Sequence, residues 1–379
     1  MATNIWQHPN IIAQEALVHL EDALVIAPLC AIDKTSDFST RSNGWKVGDT
    51  VSYRTHGEYR VDEFNTAITP QAITTSTRPL QIEKHFDVSV ELTARELALD
   101  LDDFSAQVLK PAAYKLAETC DTYLGGKILQ AAGLYTSTDL LGSAADIAQA
   151  RKAAIIQQLN MDGRYVLVDL DLEAKLLGQT WYNQAQTRGT EGTTTLRTGQ
   201  MGTLMGMQWF SSIAFPTNLT GFAAGSGATT TNNGTDKNVI GDKVLVVASA
   251  TGFKAGDRIQ VAGLRRPLIV AEDGTGTEIK LVDPITEIVP DSAAVTVIGS
   301  GKTLIYRGAI FDNKSIAVAF PMLDLPDSET SGVASANGIS VRCVKSYDIV
   351  HKVTTFSMDF LVGAFMLDPR HVTLLAEES

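Results

Sequence analysis

The chain has 379 residues, 44% hydrophobic and 20% charged, an ordinary globular balance that excludes wholesale disorder. Its 43 acidic residues outnumber 31 basic ones, for a net charge of −12; such a surface repels phosphate and argues against adhesion to DNA, RNA or anionic lipid. Three widely separated cysteines, Cys30, Cys120 and Cys343, form no CxxC pair, which fits a reducing compartment and excludes a disulfide scaffold or a cysteine-rich zinc site.

Met1–Pro9 carries no basic segment followed by an apolar one, and no apolar run reaches the roughly 18 residues of a membrane span. The expectation is a soluble chain made inside the cell. Residues 10–27 read as a helix with Asn10 as N-cap and Pro28 as stop. Ile11, Ile12, Ala16, Leu17, Val18, Leu20, Ala23, Leu24, Val25 and Ile26 make it apolar around most of its circumference. That fits either a core helix of a large domain or an N-terminal arm packed between subunits.

Across 46–92, first Val47, Val51 and Tyr53, then Leu80, Ile82, Phe86, Val88, Val90 and Leu92, alternate with polar residues, with Lys84 in one apolar slot. Two strands with one buried face are predicted, joined by a Thr-, Ser- and charge-rich stretch over 56–79. A two-stranded ribbon is marginal alone, so its apolar face needs a cover: a neighbouring subunit, or an ordinary sheet of the same chain.

A long helical pattern covers 102–132, with Asp102 or Asp103 as cap; because proline is tolerated only in a first turn, a short helix is expected before Pro111 and the main one after it. Gly125-Gly126 weakens its last third. A helix over 143–159 places Ile147, Ile155, Ile156 and Leu159 on one side. A buried strand at Tyr165–Val168 leads into another helix at 171–178, giving a small α/β layer. Residues 185–205 and 224–238, rich in Gly and Thr, read as exposed mobile loops. Between 243 and 303, five short strands at 244–247, 258–261, 268–270, 278–281 and 295–298 are separated by turns, the texture of a small barrel or sandwich inserted into its flanks. Strands resume at 304–320 and 339–366.

Catalytic signatures are missing. Gly299-Ser300-Gly301-Lys302-Thr303 imitates a phosphate-binding loop, but Thr296 stands where that motif needs glycine, so a strand connection is expected. The six histidines form no close ligand pair and there is no GxSxG elbow. Asp169, Asp171 and Glu173 stand where a helix follows a strand, so capping is preferred over metal binding. No catalytic residue, metal or cofactor is assigned, and nothing demands an enzyme.

The order of parts carries more than any single residue. Pro111-Ala112-Ala113-Tyr114-Lys115-Leu116-Ala117-Glu118, running on to Lys127-Ile128-Leu129, resembles the spine helix of tailed-bacteriophage major capsid proteins. The resemblance is closest to the insertion-domain branch of the short-tailed Salmonella phage coat proteins. Asn232–Gly263, with Ala250-Thr251-Gly252-Phe253-Lys254-Ala255-Gly256-Asp257-Arg258-Ile259-Gln260-Val261-Ala262-Gly263, is similar to the start of that branch's extra domain. Met201-Gly202-Thr203-Leu204-Met205-Gly206, followed by Pro216, resembles a recurrent A-domain passage.

The resemblance implies an α+β tailed-phage major capsid fold with an inserted small β-barrel. Its parts are an N-arm (1–45), an E-loop with flanking strands (46–92), a P-domain with spine helix (93–135), an A-domain (136–222), the barrel (223–303), and return strands of the A- and P-domains (304–379). It implies pentamers and hexamers closing into an icosahedral shell around double-stranded DNA, with scaffolding and portal proteins as partners, no membrane, assembly in the bacterial host cytoplasm and residence in the virion. Asp236, Lys237, Asp242 and Lys243 become candidates for inter-capsomer ion pairs, and Arg54, Arg60, Glu63 and Arg78 for E-loop contacts. The acidic wall suits a container that must not grip its DNA. Two other readings stand beside this one: an encapsulin-like compartment holding a cargo enzyme, and a monomeric β-rich binding protein, carbohydrate-directed through 243–303.

Overall fold

The structure, a computed structural model, describes residues 9–32, 48–54, 77–93, 105–159, 163–183, 198–199, 201–215, 219–221, 226–230, 238–285, 287–298, 303–326, 331–348, 351 and 353–378. In chain order these form α1 (Pro9–Ala23), a 3-10 turn (Ala27–Leu29), β1 (Thr50–Arg54), β2 (Thr77–Gln81), β3 (Lys84–Thr93), a π-helical turn (Ser105–Leu109) and α2 (Lys110–Ile128). Next come β4 (Gly133–Ser137), α3 (Ala144–Ile156), β5 (Arg164–Val168), α4 (Leu170–Leu177), α5 (Thr180–Asn183), β6 (Thr203–Leu204), β7 (Met207–Ser211) and β8 (Leu219–Gly221). Then follow β9 (Ser226–Thr229), β10 (Val244–Val246), β11 (Arg258–Val261), β12 (Leu268–Ile269), β13 (Glu278–Lys280) and β14 (Ala294–Val297). The chain closes with β15 (Thr303–Asp312), β16 (Ile316–Ala319), β17 (Ser331–Ala336), β18 (Ile339–Asp348), β19 (Val353–Met366), a 3-10 turn (Pro369–His371) and β20 (Thr373–Glu378).

Two compact units divide these elements. The first gathers Met1–Tyr53, Arg78–Lys127 and Asn313–Leu367. Its spine is the 14-residue β19, whose long apolar run is buried on both faces. β19 pairs antiparallel with β3 along one edge and with β18 and then β16 along the other, and β17 extends the sheet from β18. On β3 the half-buried Phe86, Val88 and Val90 alternate with exposed Asp87, Ser89 and Glu91, the period-two pattern of a strand with one covered face. Helix α2 buries Ala112, Ala113, Leu116, Ala117, Cys120, Asp121 and Leu124, a helical stripe of mostly small side chains. Phe86 meets Tyr123 and Phe360 edge-on, at ring separations of 6.2 and 5.8 Å.

Helix α1 packs on β17 and β18 through Ile12, Ala13, Ala16, Leu17 and Leu20. It has one buried stripe rather than an apolar circumference: Ile11 and Val18, seven residues apart on its outer face, are exposed. The helix also ends earlier than predicted, at Ala23, and Pro28 lies inside the following 3-10 turn instead of stopping a helix. The cause is tertiary. The Asp121 carboxylate of α2 accepts the amides of Val25 (2.8 Å) and Ile26 (3.1 Å), which a continuing α-helix would have bonded to its own preceding turn.

Pro111 is preceded not by a separate short helix but by the π-helical turn, which runs directly into α2. Wider turns of this kind are a usual way to accommodate a break in the α-helical ladder, such as a missing proline N–H. The expected caps Asp102 and Asp103 lie outside the described residues.

The second unit gathers Arg54–Thr77, Ile128–Asp312 and Asp368–Ser379. Its mixed sheet runs β4-β20-β15-β5-β7-β6, with β8 also on β15. β4–β20 and β5–β7 are parallel pairs and the rest antiparallel. Ile147, Ala150 and Ala154 of α3 and Leu172 and Leu176 of α4 share a core with Val166, Val168, Trp209 and Ile310. Ile155 and Ile156, expected on the buried side of α3, are exposed, because the alanines at 150 and 154 carry the contact. Near the end of the stretch read as an exposed loop over 185–205, Met201 is buried, its carbonyl accepting the Tyr182 hydroxyl at 2.6 Å.

Within this unit, strands β9 to β14 build a small barrel. Its strands follow β12-β11-β14-β9 in one sheet and β10-β13 in another, all antiparallel. Bridges Thr230–Val247 and Val270–Leu281 join the sheets at both ends and close the ring. The interior is its own: Leu245, Phe253, Ile259, Val261, Ile279, Ile285, Val295 and Val297 are all buried. The chain leaves the main sheet through β8 and returns through β15, which pair with each other over Leu219–Gly221 and Thr303–Ile305, so the barrel stands as an insertion between adjacent strands. Its sixth strand, β9, corrects the loop expected over 224–238. Ser-Gly-Ala-Thr has no apolar alternation, and its backbone pairs with the edge of β14.

Candidate assembly surfaces

The ribbon base belongs to the first unit. β1 and β2 pair as a two-stranded sheet, and Leu80 and Ile82 are fully buried against Ala319 and Leu361, with Val51, Tyr53, Leu323 and Phe365 at the margin. Tyr53 stacks on Phe365 at 5.8 Å. Where a neighbouring subunit was one expected cover for this face, the chain covers the base itself. The strand predicted across 80–92 breaks because the backbone changes partners: the Ile82 amide bonds Asp49 O at 2.9 Å, whereas the Glu83 amide bonds Val362 O at 3.2 Å. Arg54 and Arg78 lie in β1 and β2; Arg60 and Glu63 lie outside the described residues.

The barrel presents the second group. Asp236 and Lys237 lie outside the described residues, whereas Asp242 and Lys243 lie in the turn that leads into β10. Asp242 Oδ2 accepts the Val239 amide at 3.0 Å, and its own amide bonds Val239 O at 3.1 Å, so its carboxylate shapes the turn. Lys243 is exposed, and its ammonium pairs with nothing among the described residues.

Sequence reasoning missed Asn238. It is buried at a φ of +57°, a left-handed conformation that asparagine tolerates better than most residues. Its Oδ1 accepts the Val246 amide at 2.6 Å and its Nδ2 donates to Val246 O at 3.1 Å, imitating a strand partner. Positive φ is the one feature an asparagine in a Gly/Asn-rich segment advertises, and the sequence holds several such candidates there.

The third surface is the carboxyl end of β5 and β7. Asp169 caps α4 by accepting the Leu172 amide at 2.8 Å, as expected from its place between strand and helix. Burial pushes its pKa up from the ordinary carboxylate value, opposed by that amide and by Arg307. Arg307 donates to Asp169 and Asp171 at 2.9 Å and to Glu377 at 2.5 Å, and Lys175 reaches Asp139 at 2.7 Å and Glu377 at 3.2 Å. Of the cluster expected to cap, Asp169 does so, and the carboxylates of Asp169 and Asp171 are engaged by Arg307 of the same chain. Beside it stand Leu170, 47% exposed, and Ile213, 76% exposed. Each lies two residues beyond a registered pair, Val168 and Ser211 of the parallel strands, so the two share one rim of the sheet.

Among the described residues no group of His, Cys, Asp and Glu is arranged to hold a metal ion. No described helix is long and apolar enough to cross a membrane. The surfaces offer exposed apolar side chains on a rim, an exposed lysine on an inserted barrel, and a ribbon whose base is buried.

No protein-family model matches the sequence, and no curated protein matches it. Solved structures do. A chain from Mycobacterium phage Che8 is similar with a TM-score of 0.52 at 12% identity, covering 93% of this chain and 90% of that one. The capsid of the cyanophage P-SCSP1u gives 0.46 at 14% identity over 89% and 85% of the two chains. The capsid of a native GTA particle gives 0.46 at 10% identity over 94% and 93%. With helix, ribbon, mixed sheet and return strands in this order, the chain shares its α+β fold with the chain from Mycobacterium phage Che8.

Proposed function

We propose that the chain is a major capsid protein, a structural component of a phage virion whose copies close into an icosahedral shell of pentamers and hexamers around double-stranded DNA. The observation that carries this reading is the shared fold with the phage Che8 chain over 93% of the residues. The net charge of −12 supports it, since a wall that repels phosphate lets a genome enter and leave. Scaffolding and portal proteins are the further partners that such assembly calls for.

The barrel supports a place near the insertion-domain coat proteins of short-tailed Salmonella phages, with Lys243 and the turn of Asp242 as contacts between capsomers. Exposed ion pairs of this kind contribute only about 0–1 kcal/mol each, so their weight would come from repetition over the shell. Arg54, Arg60, Glu63 and Arg78 are the corresponding contacts of the ribbon, and Leu170 and Ile213 join them as apolar contacts on the sheet rim.

The test is the content of particles purified from the producing cell. Nuclease-resistant double-stranded DNA inside closed shells is the expected result. Shells filled with a single enzyme and no DNA would overturn the phage reading in favour of a cargo compartment.

A further inference from the structure

On β11 of the barrel, Ile259 and Val261 point into the barrel core, so the alternation of a strand puts Arg258 on the outside. An outward arginine on a small barrel should lie in water, yet Arg258 is only 6% exposed. It is buried against the rest of its unit. Its Nε donates to Ala131 O at 2.9 Å, one terminal nitrogen to Leu129 O at 2.7 Å, and the other to the Tyr306 hydroxyl at 3.1 Å. The guanidinium carbon also lies 5.6 Å from the Tyr306 ring centre.

None of these partners is a carboxylate, and burial lowers the guanidinium pKa from its ordinary value. The compensation comes from position. Leu129 directly follows Ile128, the last residue of α2, so its carbonyl is one of those that a helix end leaves without an intrahelical partner. The negative end of a 19-residue helix favours a cation there. The fork of Arg258 thus caps the exit of α2, and no ammonium could reach all three acceptors in the same plane.

We propose that Arg258 is the positioning residue that locks the barrel's orientation to the rest of its own unit, through the carbonyls of Leu129 and Ala131 and the hydroxyl of Tyr306 on β15. The proposal concerns the single chain and does not depend on the shell reading. The test uses the full-length protein with spin labels at Lys152→Cys on α3 and Glu278→Cys on the barrel, both exposed positions. Pulsed electron resonance then gives the distance distribution between them. Arg258→Met keeps a long apolar stem without donors and is expected to widen the distribution at least twofold. Arg258→Lys, which keeps the charge but not the fork, is expected to fall between it and the unsubstituted arginine. Amide exchange at Ile259, Val261 and Val295 is expected to stay within threefold in both variants, because these amides report the barrel's own ladder. A distribution as narrow in Arg258→Met as with arginine would overturn the proposal. So would loss of barrel protection in both variants, which would make Arg258 part of the barrel's fold and not its lock.

Discussion

Protonation of Asp121 should tighten the seat of the N-terminal segment on α2. The carboxylate is 2% exposed. Burial pushes its pKa up from 3.8 to about 6, with the amides of Val25, Ile26 and Ala27 pulling in the opposite direction. The other titratable groups facing it are the buried thiols of Cys30 and Cys120, both pushed up by burial and neutral throughout the range. Because the folded pKa lies above the unfolded one, the folded form binds the extra proton. The contribution to stability is therefore fully present below pH ~4 and is lost as pH rises through about 6. A rise of this size corresponds to about 3 kcal/mol at ~1.4 kcal/mol per pH unit.

Cys30 and Cys120 supply the assay. Their labelling by a thiol-reactive disulfide active at low pH, located by mass spectrometry and corrected for intrinsic thiol reactivity, reports local opening. Between pH 8 and pH 4 the opening equilibrium should fall on the order of 100-fold in the unsubstituted chain. Asp121→Asn should remove that dependence, at the expense of about 1 kcal/mol for the amide it can no longer satisfy. An opening equilibrium that stays flat, or rises on acidification relative to Asp121→Asn, would refute the reasoning. It would mean that three amides stabilise the carboxylate more than burial penalises it.

Three further outcomes are expected. Phe253→Asp or Ile259→Asp puts an unpaired charge into the barrel core at a cost of several kcal/mol, so amide exchange should show the barrel unprotected and β18–β19 unchanged; protection of both would remove the barrel's separate core from the account. Gly363→Ala in β19 should destabilise the first unit by about 1–3 kcal/mol in urea unfolding, because the added Cβ would stand 2.4 Å from Gln81 O; a change within 0.5 kcal/mol would mean that β2 can move away freely. A deletion confined to 57–75 should leave the chain folded by circular dichroism and abolish closed particles. The boundary matters because β2 begins at Thr77, so cutting through 79 would remove part of a strand of the ribbon's base; normal particle yield would show that this segment takes no part in assembly.

What the sequence made legible was local. Asp169 could be read as a cap because a carboxylate between a strand and a helix has a ready amide to accept. Five barrel strands could be read because Gly-Asp and Pro-Asp turns punctuate apolar alternation. Features set by distant partners stayed hidden. The break at Ile82–Glu83 depends on whether Asp49 or Val362 supplies the acceptor, and a polar residue in an alternating run gives no sign of that. The early end of α1 depends on a carboxylate nearly 100 positions away. Arg258 reads as a solvent-facing residue in its strand, and only the helix end packed over it makes it otherwise. Of the candidate contacts, Lys243 is exposed, while the Asp242 carboxylate is already engaged in its own turn.

The shell itself is tested most directly by sedimentation of the purified protein over a range of concentrations, with the fastest fraction imaged by negative stain. Closed, uniform particles far heavier than one chain, in equilibrium or kinetic exchange with small oligomers, are the expected result. A single 40.7 kDa species at every concentration, with nothing on the grid, would contradict it.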